Sequence, residues 1–179
     1  MLYCLHKFKS HPKNYIYLKG KTMNSSKFGT IFLGGIRRLD ELPDKVTDWL
    51  DYFIDTGEHF IVGDRHGADL VFQNYLNVRR YTSVTVFCSG DKSRFNLGKW
   101  QEVHVTVEDG AYDEKQKDDA MIESCDGALL VWNGQSTETA SKIRELRCRG
   151  LPIFIYRTDL DRLRVVRGNC KLEKTNPNK

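Results

Sequence analysis

Short apolar runs alternate with stretches of helical periodicity along most of the chain. Five runs rich in β-branched and aromatic residues predict short strands, at residues 30–33, 60–62, 84–88, 127–132 and 152–156. Apolar residues at helical spacing follow the first two runs, and two further helices are predicted over residues 114–125 and 137–149. Strands that alternate with helices favour an α/β fold. We therefore predict a Rossmann-like, doubly wound, mainly parallel five-stranded sheet with helices on both faces.

One long polar segment, residues 91–110, interrupts this alternation. It is longer than most connections inside a compact domain, so a functional role is expected. The segment contains Arg94, Asn96, Trp100 and His104. We expect it to lie over the strand ends as a lid, in which the arginine meets a phosphate and the tryptophan stacks on a base.

Length and charge divide the chain into three parts. At 179 residues, with 40% hydrophobic content, it can form one domain with a substantial core. Residues 1–29 carry six lysines and no acid, residues 157–179 carry a net charge of +4, and the middle is acidic with −6. We predict a basic N-terminal extension at 1–29, one domain at 30–156, and a basic, partly disordered tail at 157–179. Because the basic residues lie in the tails, nucleic acid is not the expected partner.

Several classes of protein are not indicated. No apolar run approaches the ~18 residues of a membrane span, and the N-terminus lacks the apolar run of a secretory signal, so we expect a cytoplasmic protein without a membrane partner. The five cysteines form no CxxC pair and have no histidine at zinc spacing. We predict reduced thiols, no metal site and no cofactor.

The loops after the predicted strands carry the candidate chemistry, because ligands of such sheets bind beyond the carboxyl ends of the strands. The second loop reads GDRHGADL, with Gly63 and Gly67 around charged residues. Glycine permits close backbone approach, and a helix beginning there offers free amides to a phosphate. Asp64 and Asp69 would then fix the loop or bind sugar hydroxyls. The alternative is that both glycines only form a tight turn.

The other loops supply similar groups. After the first strand come Gly34 and Gly35, with Arg37 suited to a phosphate or carboxylate. After the fourth, WNGQSTET offers an aromatic plane, an amide and hydroxyls, one of which is expected to cap a helix. The predicted ligand-binding residues are Gly34, Gly35, Arg37, Gly63, Asp64, Gly67, Ala68, Asp69, Ser89, Arg94, Asn96, Trp100, Trp132, Asn133, Gly134, Ser136 and Thr139.

The order of these motifs resembles the SLOG superfamily of Rossmann-like nucleotide-binding domains, in particular its small stand-alone bacterial and phage members. The resemblance covers residues 30–156 through GGIRRL, VGDRHGADLVFQNYL, FCSGDKSRFNLGKW and LLVWNGQSTET. It implies a nucleotide-derived ligand, a role such as antiphage sensing, and the homodimer that superfamily members often form. Its lonely-guy branch cleaves the N-glycosidic bond of nucleoside monophosphates.

The chain departs from the hydrolase pattern of that resemblance. The PGGxGTxxE motif of the hydrolases corresponds to NGQSTETASK, where Thr139 matches but Lys142 stands in the position of the working glutamate. A lysine would oppose the positive charge that develops when the bond to the base breaks. Glu138 and Asp69 are the first candidates for a replacement carboxylate, and Asp64, Asp118 and Asp119 are further ones. For Asp118 and Asp119 the favoured alternative is that they only form the solvated face of a helix.

We therefore expect a binding module that senses or sequesters a nucleotide or nucleotide-derived ligand, for example in phage–host conflict. The alternative is a nucleotide N-glycosidase, either a phosphoribohydrolase or an enzyme like the nucleoside deoxyribosyltransferases. A nucleic-acid accessory protein, with the basic tails on phosphate, is the third interpretation.

Overall fold

The computed structural model describes residues 28–105 and 113–168, together with two short strands near the N-terminus. These are β1 (Tyr17–Leu18) and β2 (Lys21–Thr22), which pair with each other in antiparallel orientation. They lie within the predicted N-terminal extension and form a separate two-stranded sheet.

A seven-stranded sheet forms the centre of the described chain. Its strands are β3 (Thr30–Gly35), β4 (His59–Gly63), β5 (Val84–Ser89), β6 (Gln101–Val105), β7 (Gly127–Trp132), β8 (Pro152–Arg157) and β9 (Arg162–Arg167). The spatial order is β6-β5-β4-β3-β7-β8-β9, and every neighbouring pair is parallel except β8 and β9. The predicted α/β class and mainly parallel sheet are confirmed, but the predicted number of five strands was wrong.

The two unpredicted strands lie at the edges of the sheet. Strand β6 lies in the segment 91–110 that we expected to be a loop, and it pairs with β5 from Thr85–Gln101 to Ser89–Val105. Strand β9 lies in the predicted C-terminal tail and pairs with β8. Each has a partner on one side only, so its side chains are largely half-buried or exposed. Neither strand therefore shows the continuous apolar run of a central strand.

Four helices connect the strands: α1 (Asp44–Asp55), α2 (Ala68–Val78), α3 (Glu114–Glu123) and α4 (Thr137–Cys148). Asp113 caps α3 by accepting the backbone N–H of Lys115 and of Gln116. Ser136 caps α4 by accepting the N–H of Thr139, as expected for this hydroxyl-rich loop. No helix in the described ranges has the length and apolar content needed to cross a membrane.

The apolar core consists of two clusters, to which alternate residues of the strands contribute. Ile31 and Leu33 belong to one cluster with side chains of α1 and α2, whereas Phe32 belongs to the other with side chains of α3 and α4. Successive residues of a strand point to opposite faces of the sheet, which explains this division.

The strand order also determines where the loops meet. The chain proceeds from β3 outward through β4, β5 and β6, and then crosses back to place β7 on the other side of β3. The carboxyl ends of these parallel strands lie at one edge of the sheet. We call this edge the carboxyl edge.

Candidate functional site

Three arginines reach the carboxyl edge from three successive loops. Arg37 follows β3, Arg65 follows β4 and Arg94 follows β5, and they converge on Glu138 and Glu114 at the starts of α4 and α3. Arg37 Nε lies 3.1 Å and Arg65 Nη1 2.7 Å from the Glu138 carboxylate. Arg65 Nη1 also lies 3.6 Å from Glu114, which Arg94 contacts. We call these five residues the arginine–glutamate cluster.

Below this cluster, Asp64 is a fully buried anchor for the loop after β5. Its carboxylate accepts the backbone N–H of Arg94 at 3.1 Å and two guanidinium N–H groups of the same residue at 3.0 and 2.8 Å. Lys117 Nζ donates to it at 3.0 Å. Burial alone would raise the pKa of Asp64, but the Arg94 hydrogen bonds and the Lys117 charge outweigh it and lower that pKa to about 2. Asp64 therefore fixes a loop by accepting an amide, as the sequence suggested.

Lys117 is the central cation beneath the site, with only 1% of its side chain exposed. It lies 3.0 Å from Asp64 and 2.8 Å from Glu114. Burial would lower the pKa of this lysine, but the neighbouring charges of Asp69, Glu114 and Asp64 raise it. Lys117 therefore stays charged and links α3 to the end of β4.

Neighbouring side chains leave no space for a Cβ atom at Gly63. A Cβ atom at this position would collide with the carboxylate of Asp69 and lie 3.3 Å from Lys117 Nζ. Burial raises the pKa of Asp69, although the charges of Lys117 and Lys142 oppose that change. The space that the sequence assigned to a ligand phosphate above Gly63 is therefore occupied by the Asp69 carboxylate.

Two other glycines allow close approach of backbones: Gly67 between the loops after β3 and β4, and Gly35 between β3 and β7. Gly67 has a φ of +84°, and a Cβ on it would lie 2.5 Å from the carbonyl carbon of Arg37. The N–H of Ala68, at the start of α2, donates to the Ile36 carbonyl at 3.0 Å. A Cβ on Gly35 would collide with the carbonyl oxygen of Val131. Backbone contacts thus account for both glycines and use the amide of Ala68.

A cleft of about 280 Å³ opens beside the cluster, between α3 and α4. Its lining includes Arg37, Glu114, Glu138, Asp118 and Lys142. Asp118 and Lys142 are both largely buried and form an ion pair of 2.8 Å across the cleft. The cleft is thus walled by charged groups that are already paired with one another.

Two of the acids that line the cleft differ in protonation behaviour. Burial raises the pKa of Asp118, although the charge and hydrogen bond of Lys142 act against this. Burial would also raise the pKa of Glu138, but Lys142, Arg65 and Arg37 outweigh it and lower that pKa. Glu138 therefore favours the ionised form, and Asp118 retains its proton to a higher pH than an ordinary aspartate does.

No model of a known protein family matches the chain, and neither a curated protein nor a solved structure shows detectable similarity to it.

Hydrogen bonds and an arginine stacked on an aromatic ring stabilise the loop after β7. Asn133 Oδ1 accepts the N–H groups of Gln135 and Ser136 at 3.0 and 2.9 Å. The Arg157 guanidinium lies 4.7 Å from the centre of the Trp132 ring, and the indole N–H donates to the Ser136 carbonyl. The Arg157 guanidinium therefore covers one face of the Trp132 ring, and a base could stack on that face only after Arg157 has moved.

Glycine and threonine complete this loop. Gly134 has a φ of +78°, and a Cβ there would collide with the Arg157 side chain. Thr139 is buried, and its hydroxyl donates to Ser136 Oγ at 3.1 Å. Gly34, another predicted site residue, lies outside this loop, in β3, where a Cβ would come within 3.0 Å of the Phe32 ring.

Some predicted site residues lie elsewhere. Trp100 precedes β6, and its indole N–H donates to the Tyr81 carbonyl at the amino end of β5. Asn96 bonds to the backbone of Trp100 and to Glu102. Ser89, in contrast, does lie at the carboxyl edge: it is buried at the end of β5, and its hydroxyl has no hydrogen-bond partner among the described residues.

The structure thus brings together Arg37, Asp64, Asp69, Arg94 and Glu138, which the sequence had singled out. Sequence reasoning missed the roles of several others, namely Arg65, Glu114, Lys117, Asp118 and Lys142. Asp119, in contrast, pairs with Lys115, whose side chain is 75% exposed, as expected of a solvated helix face.

Proposed function

We propose that this protein binds a nucleotide or nucleotide-derived ligand at the carboxyl edge, as a sensor or sequestering module. The observation that carries the proposal is the convergence of three guanidinium groups, from three successive loops, on two shared carboxylates. Guanidinium groups bind phosphate oxygens in a bidentate manner. The proposal includes a Rossmann-like doubly wound fold and membership of the SLOG superfamily. The two-part core and the reversal of strand order between β3 and β7 support that fold.

Ligand binding at this cluster is an exchange of anions. Glu138 occupies Arg37 and Arg65, so a phosphate must displace it before both guanidiniums can bind the ligand. Arg37 is the first point of contact, because 68% of its side chain is exposed. Asp64 holds Arg94 through three hydrogen bonds and keeps that arginine in place during the exchange.

The exchange predicts opposite effects for two substitutions. Arg37→Ala removes a guanidinium that would bind the phosphate. This change should weaken nucleoside monophosphate binding by roughly tenfold or more, since a charge-assisted hydrogen bond contributes about 1.5–3 kcal/mol. Glu138→Gln removes the competing anion and should strengthen binding. Arg79→Ala is the control, because Arg79 is also an arginine in a surface ion pair, but its partner Asp51 lies away from this edge.

Thermal-shift measurements and calorimetry with nucleoside monophosphates, NAD, ADP-ribose and cyclic nucleotides test the proposal. An intact ligand that stabilises the wild type, with the two opposite effects above, supports a sensor. The proposal fails if none of these ligands stabilises the protein, or if Arg37→Ala and Arg79→Ala affect binding equally.

The cleft favours a second candidate function, that of a nucleotide N-glycosidase. Two carboxylates with opposite pKa changes, Glu138 and Asp118, line the same cleft, and such a pair is suited to an ionised stabiliser and an acid. Glu138 would stabilise the positive sugar, while Asp118 would donate a proton to the leaving base. Water bonds to C1′ as the bond from C1′ to the base nitrogen breaks, and the proton that this water loses passes to solvent, from which Asp118 is reprotonated. Lys142 lies 2.8 Å from Asp118, so the carboxylate that remains after Asp118 has given its proton to the base pairs with this lysine.

Chromatography of each nucleotide after incubation separates the two functions. An enzyme releases free base, and both Asp118→Asn and Glu138→Gln abolish that release while the ligand still binds. A sensor returns every ligand intact. Release that persists at the wild-type rate in Asp118→Asn and in Glu138→Gln would remove both residues from the chemistry.

A further inference from the structure

We propose that Cys88, Glu102 and His104 form a binding site for a divalent transition-metal ion, of which Zn²⁺ is the best match. One ligand atom from each residue lies within 4.8 Å of the other two. The site lies at the outer edge of the sheet, on β5 and β6, and involves none of the residues of the arginine–glutamate cluster.

Strand register places the three side chains together. Cys88 on β5 and His104 on β6 are direct partners in the parallel pairing. Glu102 lies two residues before His104 on the same strand, and therefore on the same face of the sheet. The ligands thus project from two paired strands, which hold side chains more precisely than loops do.

Two short contacts connect the three side chains, through different nitrogens of the His104 ring. Cys88 Sγ lies 3.3 Å from His104 Nδ1, and Glu102 Oε2 lies 3.2 Å from His104 Nε2. Bond lengths of about 2.0–2.3 Å in a tetrahedral zinc site separate neighbouring ligand atoms by roughly 3.3–3.8 Å. Because only one ring nitrogen binds the ion, a rotation of the exposed His104 ring has to turn that nitrogen toward both Cys88 and Glu102.

Outer hydrogen bonds orient two of the ligands. Glu102 Oε1 accepts from Ser93 Oγ and from Asn96 Nδ2, which leaves Oε2 directed at His104. His104 Nδ1 also lies 2.9 Å from the Gly90 carbonyl oxygen. Hydrogen bonds of this kind to the ligands are characteristic of protein metal sites.

The ligand set identifies the class of ion. A thiolate, an imidazole and a carboxylate suit Zn²⁺ or Co²⁺, whereas Mg²⁺ and Ca²⁺ prefer oxygen ligands alone. The Cys88 sulfur is buried, while Glu102 and His104 are partly exposed and open a path for the ion. As the sulfur binds, its proton leaves to solvent, and a water molecule takes the fourth position.

A bound ion would close the loop that contains Arg94. Cys88 precedes residues 90–100, and Glu102 and His104 follow them. The ion would therefore join both ends of this loop and fix edge strand β6 to β5. We expect binding to raise the thermal stability of the protein.

Cobalt titration of the full chain, after removal of metals with a chelator, tests the proposal directly. Thiolate coordination to Co²⁺ produces a charge-transfer band in the near ultraviolet, which we expect to saturate at one equivalent. Zn²⁺ should abolish the band and raise the melting temperature, while Mg²⁺ should do neither.

Substitutions assign the band to this site. Cys88→Ser should remove it, and His104→Gln and Glu102→Gln should each weaken Co²⁺ binding by at least about tenfold. Cys148→Ser, which changes an exposed cysteine at the end of α4, should leave the titration unchanged. His104→Gln also covers the case in which the buried Cys88→Ser change prevents folding, because His104 is exposed on an edge strand.

The proposal is overturned if no thiolate band forms. It is equally overturned if His104→Gln folds and binds Co²⁺ like the wild type. Loss of the band in Cys148→Ser, with Cys88→Ser unaffected, would assign the thiolate to another part of the chain.

Discussion

Replacing Asp64 with asparagine is the sharpest perturbation of the buried network beneath the site. The substitution keeps the shape of the side chain but removes a charge that holds Arg94 through three hydrogen bonds and Lys117 through one. Lys117 then remains almost completely buried with one carboxylate partner fewer. We expect Asp64→Asn to lower the free energy of unfolding at pH 7, because a buried charge loses its partner.

The size of the loss follows from two estimates. The fall in the Asp64 pKa from 3.8 to about 2 corresponds to about 2 kcal/mol of stability. Breaking a buried ion pair from one side costs about 3–5 kcal/mol, since the remaining charge is also left without its hydrogen bonds. In a protein of this size the larger range lowers the melting temperature by roughly 6–20 °C.

The pH dependence has a definite sign. The folded-state pKa of Asp64 lies below its unfolded value, so the stabilisation is complete above pH 4 and is lost as the pH falls from 3.8 toward about 2. The difference in stability between wild type and Asp64→Asn should therefore narrow over that interval. Urea denaturation at several pH values between 2 and 7 measures it.

Asp119→Asn serves as the control, because Asp119 pairs with Lys115 at the exposed surface of α3. It should change stability by less than about 1 kcal/mol. The reasoning is refuted if Asp64→Asn costs no more than this control at pH 7, or if its effect is the same at pH 2 and pH 7.

Two further predictions concern other parts of the fold. Gly67→Ala should lower the urea midpoint of unfolding more than Gly57→Ala, because both positions have positive φ but only the methyl group at position 67 meets the backbone of Arg37. Equal decreases in the two midpoints would contradict the close approach of Gly67 to Arg37. Burial lowers the pKa of His59 below 6.5, so stability should decrease as the pH falls from 6.5 toward the folded pKa; an NMR titration that finds the pKa at or above 6.5 would contradict this.

The central strands were predictable because both of their faces are buried. The run from Gly127 to Trp132 was placed at its observed bounds, and the predicted strands at 30–33 and 84–88 each lie within an observed strand. Edge strands β6 and β9 were missed because they mix exposed and half-buried side chains. A search for apolar runs does not detect such strands.

Convergence of the loops at one edge followed from the parallel sheet, but the identity of the ion pairs did not. Lys117 and Asp118 lie in the polar sequence EKQKDD, which reads as the solvated face of a helix. Both are buried, because α3 packs against β4 and β5. In the sequence, Lys142 stands where the hydrolases have their glutamate, which indicated that the carboxylate was missing. In the structure, the carboxylate of Asp118 lies beside this lysine. Such pairs between distant segments leave no signal in local sequence patterns.

The stacking of Arg157 on Trp132 provides an intrinsic optical reporter. Trp49 packs among aromatic rings of the core and Trp100 bonds at the amino end of β5, so Trp132 is the tryptophan adjacent to the carboxyl edge. Its indole N–H is bound to the carbonyl of Ser136, the residue that caps α4. Any rearrangement of that helix start alters the surroundings of this ring. Replacing Trp49 and Trp100 with phenylalanine would leave Trp132 as the single emitter, so that events at the edge can be followed by fluorescence without an attached dye.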